Sequence, residues 1–407
     1  MPVRNYIALA IPFFLVAMGV ELGAARARRR SVYRLGDALA DLGCGIGQQV
    51  VLVFAGALLL EGYAWVHDHA GLVTWRSAAV PWVVAFVWVD FAYYWWHRLS
   101  HEVNVLWAGH VVHHQSEDYN LAVALRQSIL TSYTVWPFYL PLALVGVPTV
   151  VYAAAVSFST LYQFWIHTEL VGKLGRAEAV LNTPSHHRVH HAVNPRYLDR
   201  NYGAISIVWD RLFGTFVEER EAPVYGTTRP IGSFNPAWAQ VHGLVEIARK
   251  ARALPRRRDR LRMWFASPGW NPAGGPPPTE AELRARARYD VPLPLALRAY
   301  AALHFAPLIA ATFLMLLWQY TAPRAPMAAA GVLVAWTLVS VGALLDGKRW
   351  GVAAEMGRLV ALGVAVVAWK PLGLGGAALG AMAVVVVVGS GAWLLSAVSP
   401  RANVTSA

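Results

Sequence analysis

Cysteine is all but missing from this 407-residue sequence, in which Cys44 stands alone. A single thiol makes no intrachain disulfide, and it implies no oxidising compartment. Charge is scarce as well. Charged residues make up 14% of the chain and the mean hydropathy is +0.40, whereas an average soluble domain carries nearer a quarter charged residues. That shortage argues against an ordinary soluble globule and for residence in a membrane. No internal repeat of the solenoid type is present, so the chain is not a stacked array.

Long apolar runs are abundant. Residues 6–20, 46–66, 79–96, 128–147, 150–166, 295–319, 326–345, 359–369 and 372–397 are candidate spans. Crossing the hydrocarbon core takes about 20 residues of helix, so 6–20 and 359–369 must borrow flanking residues. The net charge of +12 is not laid out as a nucleic-acid surface, and no nucleic-acid partner is expected. Its arginines stand beside apolar runs, at Arg26, Arg28, Arg29, Arg30 and Arg34, and again at Arg256, Arg257, Arg258, Arg260 and Arg262. Such clusters read as topology signals and as contacts to anionic headgroups. Only Arg4 precedes the first run, and arginines follow it. That is the pattern of a signal anchor with its N-terminus outside, not of a cleaved signal peptide.

Placing Arg26–Arg34 in the cytoplasm sets the orientation. Three spans then deliver residue 97 to the cytoplasmic face, a hairpin of spans four and five returns residue 167 there, and residues 249–262 are cytoplasmic too, as the positive-inside rule requires. Asn403-Val404-Thr405 matches a glycosylation sequon, but this topology puts it in the cytoplasm. The expected fold is all-α, a polytopic membrane helical bundle in a bacterial inner membrane or endoplasmic reticulum. Four regions are expected: anchor helices over 1–78, the chemistry over 79–220, an interfacial basic segment over 221–291, and a C-terminal helical block over 292–407. The third holds a Pro/Gly-rich stretch from Ser267 to Pro278 and a basic-aromatic segment around Arg262, Trp264 and Phe265 that reads as lying in the interface plane. The fourth is poor in polar residues and shows no obvious site.

Ten of the fourteen histidines fall between residues 97 and 191. His97 and His101 are four apart; His110, His113 and His114 are spaced three and one; His187, His190 and His191 repeat that spacing. His186 precedes the last group, and His167 ends span five. Positions i, i+3 and i+4 share a helix face, so each group presents imidazoles in one direction. Imidazole suits Zn, Cu, Fe and Ni. A single zinc takes four ligands, or three and a water, so eight or nine imidazoles suit two ions with four or five ligands each. His67, His69, His242 and His304 read as interfacial or pairing residues. A proton relay or a metal carrier is the competing reading of the clusters, but a carrier places its ligands near the bilayer midplane, whereas these follow the cytoplasmic end of span three.

A ligating imidazole donates its second N–H to a carboxylate, carbonyl or water. Nearby carboxylates are Glu102, Glu117, Asp118, Glu169 and Asp210. Asp90 lies within an apolar span, on one helical face with Tyr94 and His97, and an ionisable group at that depth reads as functional; the plainer alternative is a packing Asp–Tyr hydrogen bond. Asp90, Glu102 and Glu169 are the catalytic candidates. Trp95, Trp96, Trp107 and Tyr119 either line a lipid path or anchor the interface.

His97-Arg-Leu-Ser-His101, His110-Val-Val-His113-His114 and His187-Arg-Val-His190-His191 resemble the H-x3-H, H-x2-HH and H-x2-HH boxes of the fatty acid hydroxylase/sterol desaturase superfamily. The intervening words, among them Ser116-Glu-Asp-Tyr-Asn-Leu, Ala124-Leu-Arg-Gln-Ser, Gln163-Phe-Trp-Ile-His-Thr-Glu169, Asn201-Tyr-Gly and Trp209-Asp-Arg-Leu-Phe-Gly-Thr-Phe216, are similar to its ether-lipid-oxidising branch. The resemblance covers about residues 80–220. It implies a membrane mixed-function oxidase with two iron ions (Fe2+/Fe3+) held by His97, His101, His110, His113, His114, His167, His187, His190 and His191; His186 has no place in the pattern. It also implies tetrahydrobiopterin as reductant, O₂ as co-substrate, and hydroxylation of the ether-bearing carbon of an alkylglycerol, whose product breaks to a fatty aldehyde and a glycerol derivative. The alternatives keep the diiron site and change the substrate to a sterol, carotenoid or fatty acyl chain, or make the protein a non-enzymatic metal carrier. No pterin site and no oligomeric state can be read from the sequence.

Overall fold

The computed structural model describes residues 6–270, 272, 276–369 and 376–398. The Asn403 sequon and part of the Pro/Gly-rich stretch lie outside these. Among the described residues there are helices and turns, and only two isolated bridges of extended chain, Leu181 with Ser206 and Ala192 with Tyr225. Two compact units divide the chain: one takes in residues up to Ile231 and Ala239–Arg288, the other Gly232–Trp238 and the residues from Tyr289 onward.

The first unit opens with α1 (Tyr6–Ala27), α2 (Leu35–Ala70), α3 (Val80–Glu102) and α4 (Asn104–His114). A hairpin of α5 (Thr131–Leu144) and α6 (Thr149–Trp165) follows, then the short helices α7 (Pro184–His190) and α8 (Val208–Leu212). After α9 (Pro236–Ala253), which begins at the boundary between the units, come α10 (Arg257–Phe265) and α11 (Glu280–Ala285). The second unit is built on α12 (Leu295–Trp318), α13 (Arg324–Leu345), α14 (Arg349–Trp369) and α15 (Gly376–Val398).

Six described helices are long and apolar enough to cross a membrane: α1, α2 and α12 to α15. The protein is thus read as a multi-pass membrane protein, with fewer full spans than the nine apolar runs suggested. The hairpin accounts for two of the missing three. α5 has 14 residues and α6 has 17, which at 1.5 Å per residue is roughly 21 and 26 Å, short of a core about 30 Å thick. α5 also carries Pro137 and Pro141, each of which removes a backbone donor. The hairpin turns at Gly146, where φ is +76° and a Cβ would fall 1.9 Å from the Val73 carbonyl oxygen. Glycine is required there on both counts. α3 is long enough, but Trp and Tyr replace aliphatic residues along its second half and Asp90 sits among them.

The helices of the first unit run up and down, so one end collects the C-termini of α1, α3 and α6 and the N-terminus of α2. The other end is closed by apolar packing of Tyr63, Ala85, Val89, Tyr139, Leu142, Val147 and Tyr152. There Tyr63 Oη donates to the Val147 carbonyl and Trp75 Nε1 to that of Val145. In the second unit, sequence reading found no site, yet polar side chains are buried. The Glu355 carboxylate accepts from Arg358, Tyr300 Oη and Ser340 Oγ. Every lone pair of that carboxylate is satisfied, which is what a buried ion requires.

Candidate metal centre

The histidines gather where the C-termini of α3 and α6 meet α4 and α7. His97 and His101 stand four apart near the end of α3, and Val103, in extended conformation, breaks the helix so that α4 can turn back across it. α4 carries His110, His113 and His114; His167 follows α6 directly; α7 and its C-terminal residue carry His187, His190 and His191. All nine are buried.

They form two groups that could each hold a metal ion: His97, His101, His110, His114 and His190, and His113, His167, His187 and His191. Within each group the candidate ligand atoms lie within 4.8 Å of one another. The partition does not follow the boxes. In α4, His110 and His114 serve the first group and His113 the second; in α7, His187 and His191 serve the second and His190 the first. The i,i+4 pair and the i+3 member of an H-x2-HH box point about 60 degrees or more apart around a helix, so one box reaches two centres. The expectation of one shared direction per group is corrected in this respect.

Hydrogen bonds decide whether a cation fits. Nδ1 of His113 lies 3.0 Å from the Arg126 carbonyl oxygen, and Nδ1 of His167 lies 2.7 Å from that of Gln163. A carbonyl only accepts, so both protons belong on Nδ1 and both Nε2 atoms carry lone pairs. Those Nε2 atoms are 3.2 Å apart. Two lone pairs at that distance repel unless a cation lies against them. An extra proton is a poor substitute, because burial lowers the basicity of these rings. His113 is brought down to about 4, and His110, His114, His167, His187, His190 and His191 go well below the ordinary histidine value. In the first group, His97 and His190 donate through Nδ1 to the carbonyls of Tyr202 (2.8 Å) and Arg200 (2.9 Å). Nε2 of His190 and of His101 are buried with no hydrogen-bond partner. Neutral imidazoles with lone pairs converging on two points are a donor set made for divalent metal.

The second-layer partners are mostly backbone carbonyls, from Arg126, Gln163, Arg200 and Tyr202. The one carboxylate is Asp199, which lies 3.3 Å from His101 Nδ1. The carboxylates picked from the sequence are engaged elsewhere. Glu102 pairs with Arg98 at 2.8 Å, Glu169 with Arg30 at 2.6 Å, and Asp118 with Arg34 and Arg288. Glu117 faces Arg286 at 3.7 Å. Asp90 does not bond Tyr94, whose hydroxyl meets Thr215 Oγ1 at 3.0 Å. Instead it accepts from the Ile205 and Ser206 amides and from Trp209 Nε1. Asp210 accepts from the Tyr202 and Gly203 amides at 2.8 Å each and from Thr215 Oγ1, so it holds the carbonyl to which His97 donates. Asp90, Glu102 and Glu169 therefore lie outside both histidine groups, and Asp90 and Asp210 anchor the loop that follows α7.

Arg126 is the residue that sequence reading left without a role. Its carbonyl orients His113, while its guanidinium donates to the Val112 carbonyl (2.7 Å), Gln115 Oε1 (3.0 Å) and Asp41 Oδ1 (2.9 Å). The buried Arg126–Asp41 pair thus clamps the chain on both sides of His113 and His114, through the Val112 backbone and the Gln115 side chain. α2 can approach this turn because of Gly45, where a Cβ would meet the Leu125 carbonyl oxygen at 2.3 Å. Ala124-Leu-Arg-Gln-Ser was visible as a family word, but a buried arginine cannot be told from an exposed one without the fold. His186, set aside from the start, belongs to neither group and packs edge-on against Phe216. His67 meets Asp68, His69 the Trp65 carbonyl and His304 Arg358, all away from the centre. Of the aromatics, Trp107 and Tyr119 border the histidines, and Trp96 is buried with Nε1 on Thr134. Trp95 faces the other side of α3, in an apolar groove of about 360 Å³ with Trp88, Phe91, Leu99, Phe138 and Pro141.

Membrane-length helices and nine buried imidazoles in two metal-sized groups define the chain as a candidate di-metal membrane protein. Residues 82–215 match the family Fatty acid hydroxylase, and the chain belongs to the fatty acid hydroxylase superfamily of iron-dependent enzymes. Within it, the similar proteins are alkylglycerol monooxygenases. The human enzyme is 45% identical over 273 residues, covering 66% of this chain and 61% of the relative. That of Xenopus tropicalis is 38% identical over 352 residues, covering 85% and 78%, and that of Danio rerio 36% over 366 residues, covering 88% and 81%. The match thus spans less than two thirds of the human relative's length and about four fifths of the other two. No solved structure is detectably similar.

Proposed function

We propose that the protein is a diiron monooxygenase that hydroxylates the ether-bearing carbon of alkylglycerols, with a reduced pterin as electron donor and the centre on the cytoplasmic face. The observation that carries the metal part is the pair of facing lone pairs at His113 and His167. The alkylglycerol substrate is supported by the relatives' names and by the extent of the match. Tetrahydrobiopterin is supported by the family resemblance. The cytoplasmic side is supported by the exposed arginines at 26–30, which flank the end of the bundle that holds the histidines.

Iron in the two groups supplies the redox chemistry that O₂ reduction needs. The chain's own residues set the conditions. Backbone carbonyls hold the Nδ1 protons of His97, His113, His167 and His190, so each of these rings offers Nε2 as a lone pair. Burial keeps the rings neutral and excludes bulk water. The balance is one O₂, two electrons and two protons per substrate; one oxygen atom enters the C–H bond and the other leaves as water. The hydroxylated ether carbon is a hemiacetal, and it breaks to fatty aldehyde and free glycerol hydroxyl.

The purified protein, loaded with iron and given a labelled alkylglycerol, O₂ and reduced tetrahydrobiopterin, should release labelled fatty aldehyde. Aldehyde that forms equally well without pterin would overturn the donor assignment. Oxidation of a sterol or acyl chain with no aldehyde from the ether would overturn the substrate.

A further inference from the structure

We propose that α10 is a recognition element for anionic phospholipid headgroups, seated directly on the helix that carries three of the histidines. Arg256, Arg257, Arg258, Arg260 and Arg262 are all exposed. Among the described residues none of the five is paired with a carboxylate; Arg260 Nε donates to the Leu254 carbonyl and Arg262 lies over the Trp270 ring at 4.8 Å. Positive charge left unpaired by the protein is charge available to an anion.

The helix face identifies that anion. Leu261 is 68% exposed and Phe265 69% exposed, and at i,i+4 they share a side with Arg258 and Arg262. Large apolar side chains among arginines gain nothing on a nucleic-acid backbone. On a bilayer they enter the acyl boundary while the guanidinium groups meet phosphates, which is the pattern of a helix lying in the interface plane. With membrane-length helices in the same unit, a bilayer is always at hand. A polyanion such as RNA is the rival partner.

The opposite face of α10 is fixed. Met263 packs with Ala108 of α4 and with Ile247, Ala251 and Leu254. Asn104, the first residue of α4, donates its side-chain amide to the Met263 carbonyl at 2.7 Å and its backbone amide to that of Ala266 at 2.9 Å. Headgroups bound on α10 therefore steady the start of the helix that bears His110, His113 and His114.

The test uses the full chain in nanodiscs, with a polarity-sensitive fluorophore on Phe265→Cys. Cys44, the one native cysteine, is buried and does not compete for label. In discs containing phosphatidylglycerol the label should emit to the blue and be quenched by lipids spin-labelled high on the acyl chain. Phosphatidylcholine alone, or about 1 M salt, where the screening length falls to about 3 Å, should weaken both signals. Replacing Arg257, Arg258 and Arg262 by Gln should lower phosphatidylglycerol retention by on the order of tenfold or more, and replacing them by Lys should restore most of it. An unchanged circular dichroism spectrum and thermal transition in the Gln variant show that the fold is intact. A label that reports water in every lipid overturns the proposal, as does quenching indifferent to lipid charge and to the arginines. A shift caused by an RNA oligonucleotide but not by phosphatidylglycerol overturns it in favour of the rival partner. None of these outcomes depends on the oxidation reaction.

Discussion

At the level of single residues, the two histidine groups make separable predictions. His190→Ala removes one donor of five from the first group, and His113→Ala one of four from the second. Both should abolish activity and lower bound iron, whereas His304→Ala, which loses a ring stacked on Tyr300 in the second unit, should change neither; metal analysis alongside turnover checks all three. Arg126→Met is the sharper case. It keeps the carbonyl that orients His113 but removes the guanidinium that clamps residues 112 and 115, and it leaves Asp41 buried without its partner. Stripping one member from a buried pair costs about 3–5 kcal/mol, so the melting point should fall. Iron should be lost from the second group before the first, visible as a change in the Mössbauer spectrum. Restoring charge balance with Asp41→Asn in the same chain should recover part of the stability. Unchanged iron spectra in Arg126→Met would show that the clamp serves packing alone.

At the level of elements, the loop after α7 matters as much as the helices. It presents the carbonyls of Arg200 and Tyr202 to His190 and His97, and two residues near them, Asp199 and Asn201, take left-handed backbone conformations with φ of 57° and 56°. Asn and Asp tolerate that region better than other non-glycine residues. Asp90 and Asp210 secure the loop from below. Asp90→Ala should therefore leave the histidine helices in place but free residues 205–209, at a cost of about 3 kcal/mol from lost charge-assisted hydrogen bonds. Hydrogen exchange should show faster amides at Ile205 and Ser206, and turnover should drop by more than bound iron does. Much of this was readable beforehand. The periodic histidines and apolar runs located the boxes and most helices, because both signals are local in the chain. The loop carbonyls were not readable, since every residue type has one and only the fold decides where it points. The apolar runs of α5 and α6 gave helices shorter than a full span because hydropathy reports apolar content, while helix length depends on where the ladder stops, here at the Gly146 turn between them.

For the molecule as a whole, the division into two units separates chemistry from the C-terminal block. The network around Glu355 ties α12, α13 and α14 together through Tyr300, Ser340 and Arg358. Glu355→Ala strands the Arg358 charge in an apolar bundle and should destabilise that unit by about 3–5 kcal/mol. Limited proteolysis should then cut within residues 295–369 first, with iron still bound in the first unit. Equal loss of iron would mean that the two units unfold together.

Because α4 and α7 each divide their histidines between the two groups, an ion bound in either group would hold two histidines of one helix and one of the other, and would so bias the placement of the remaining three. Loading of two ions should therefore be cooperative. Titrated with ferrous iron, the apoprotein should pass from empty to doubly occupied with little singly occupied protein between, as native mass spectrometry would count directly. The same coupling makes a stable hybrid with two different metals hard to prepare by stepwise addition.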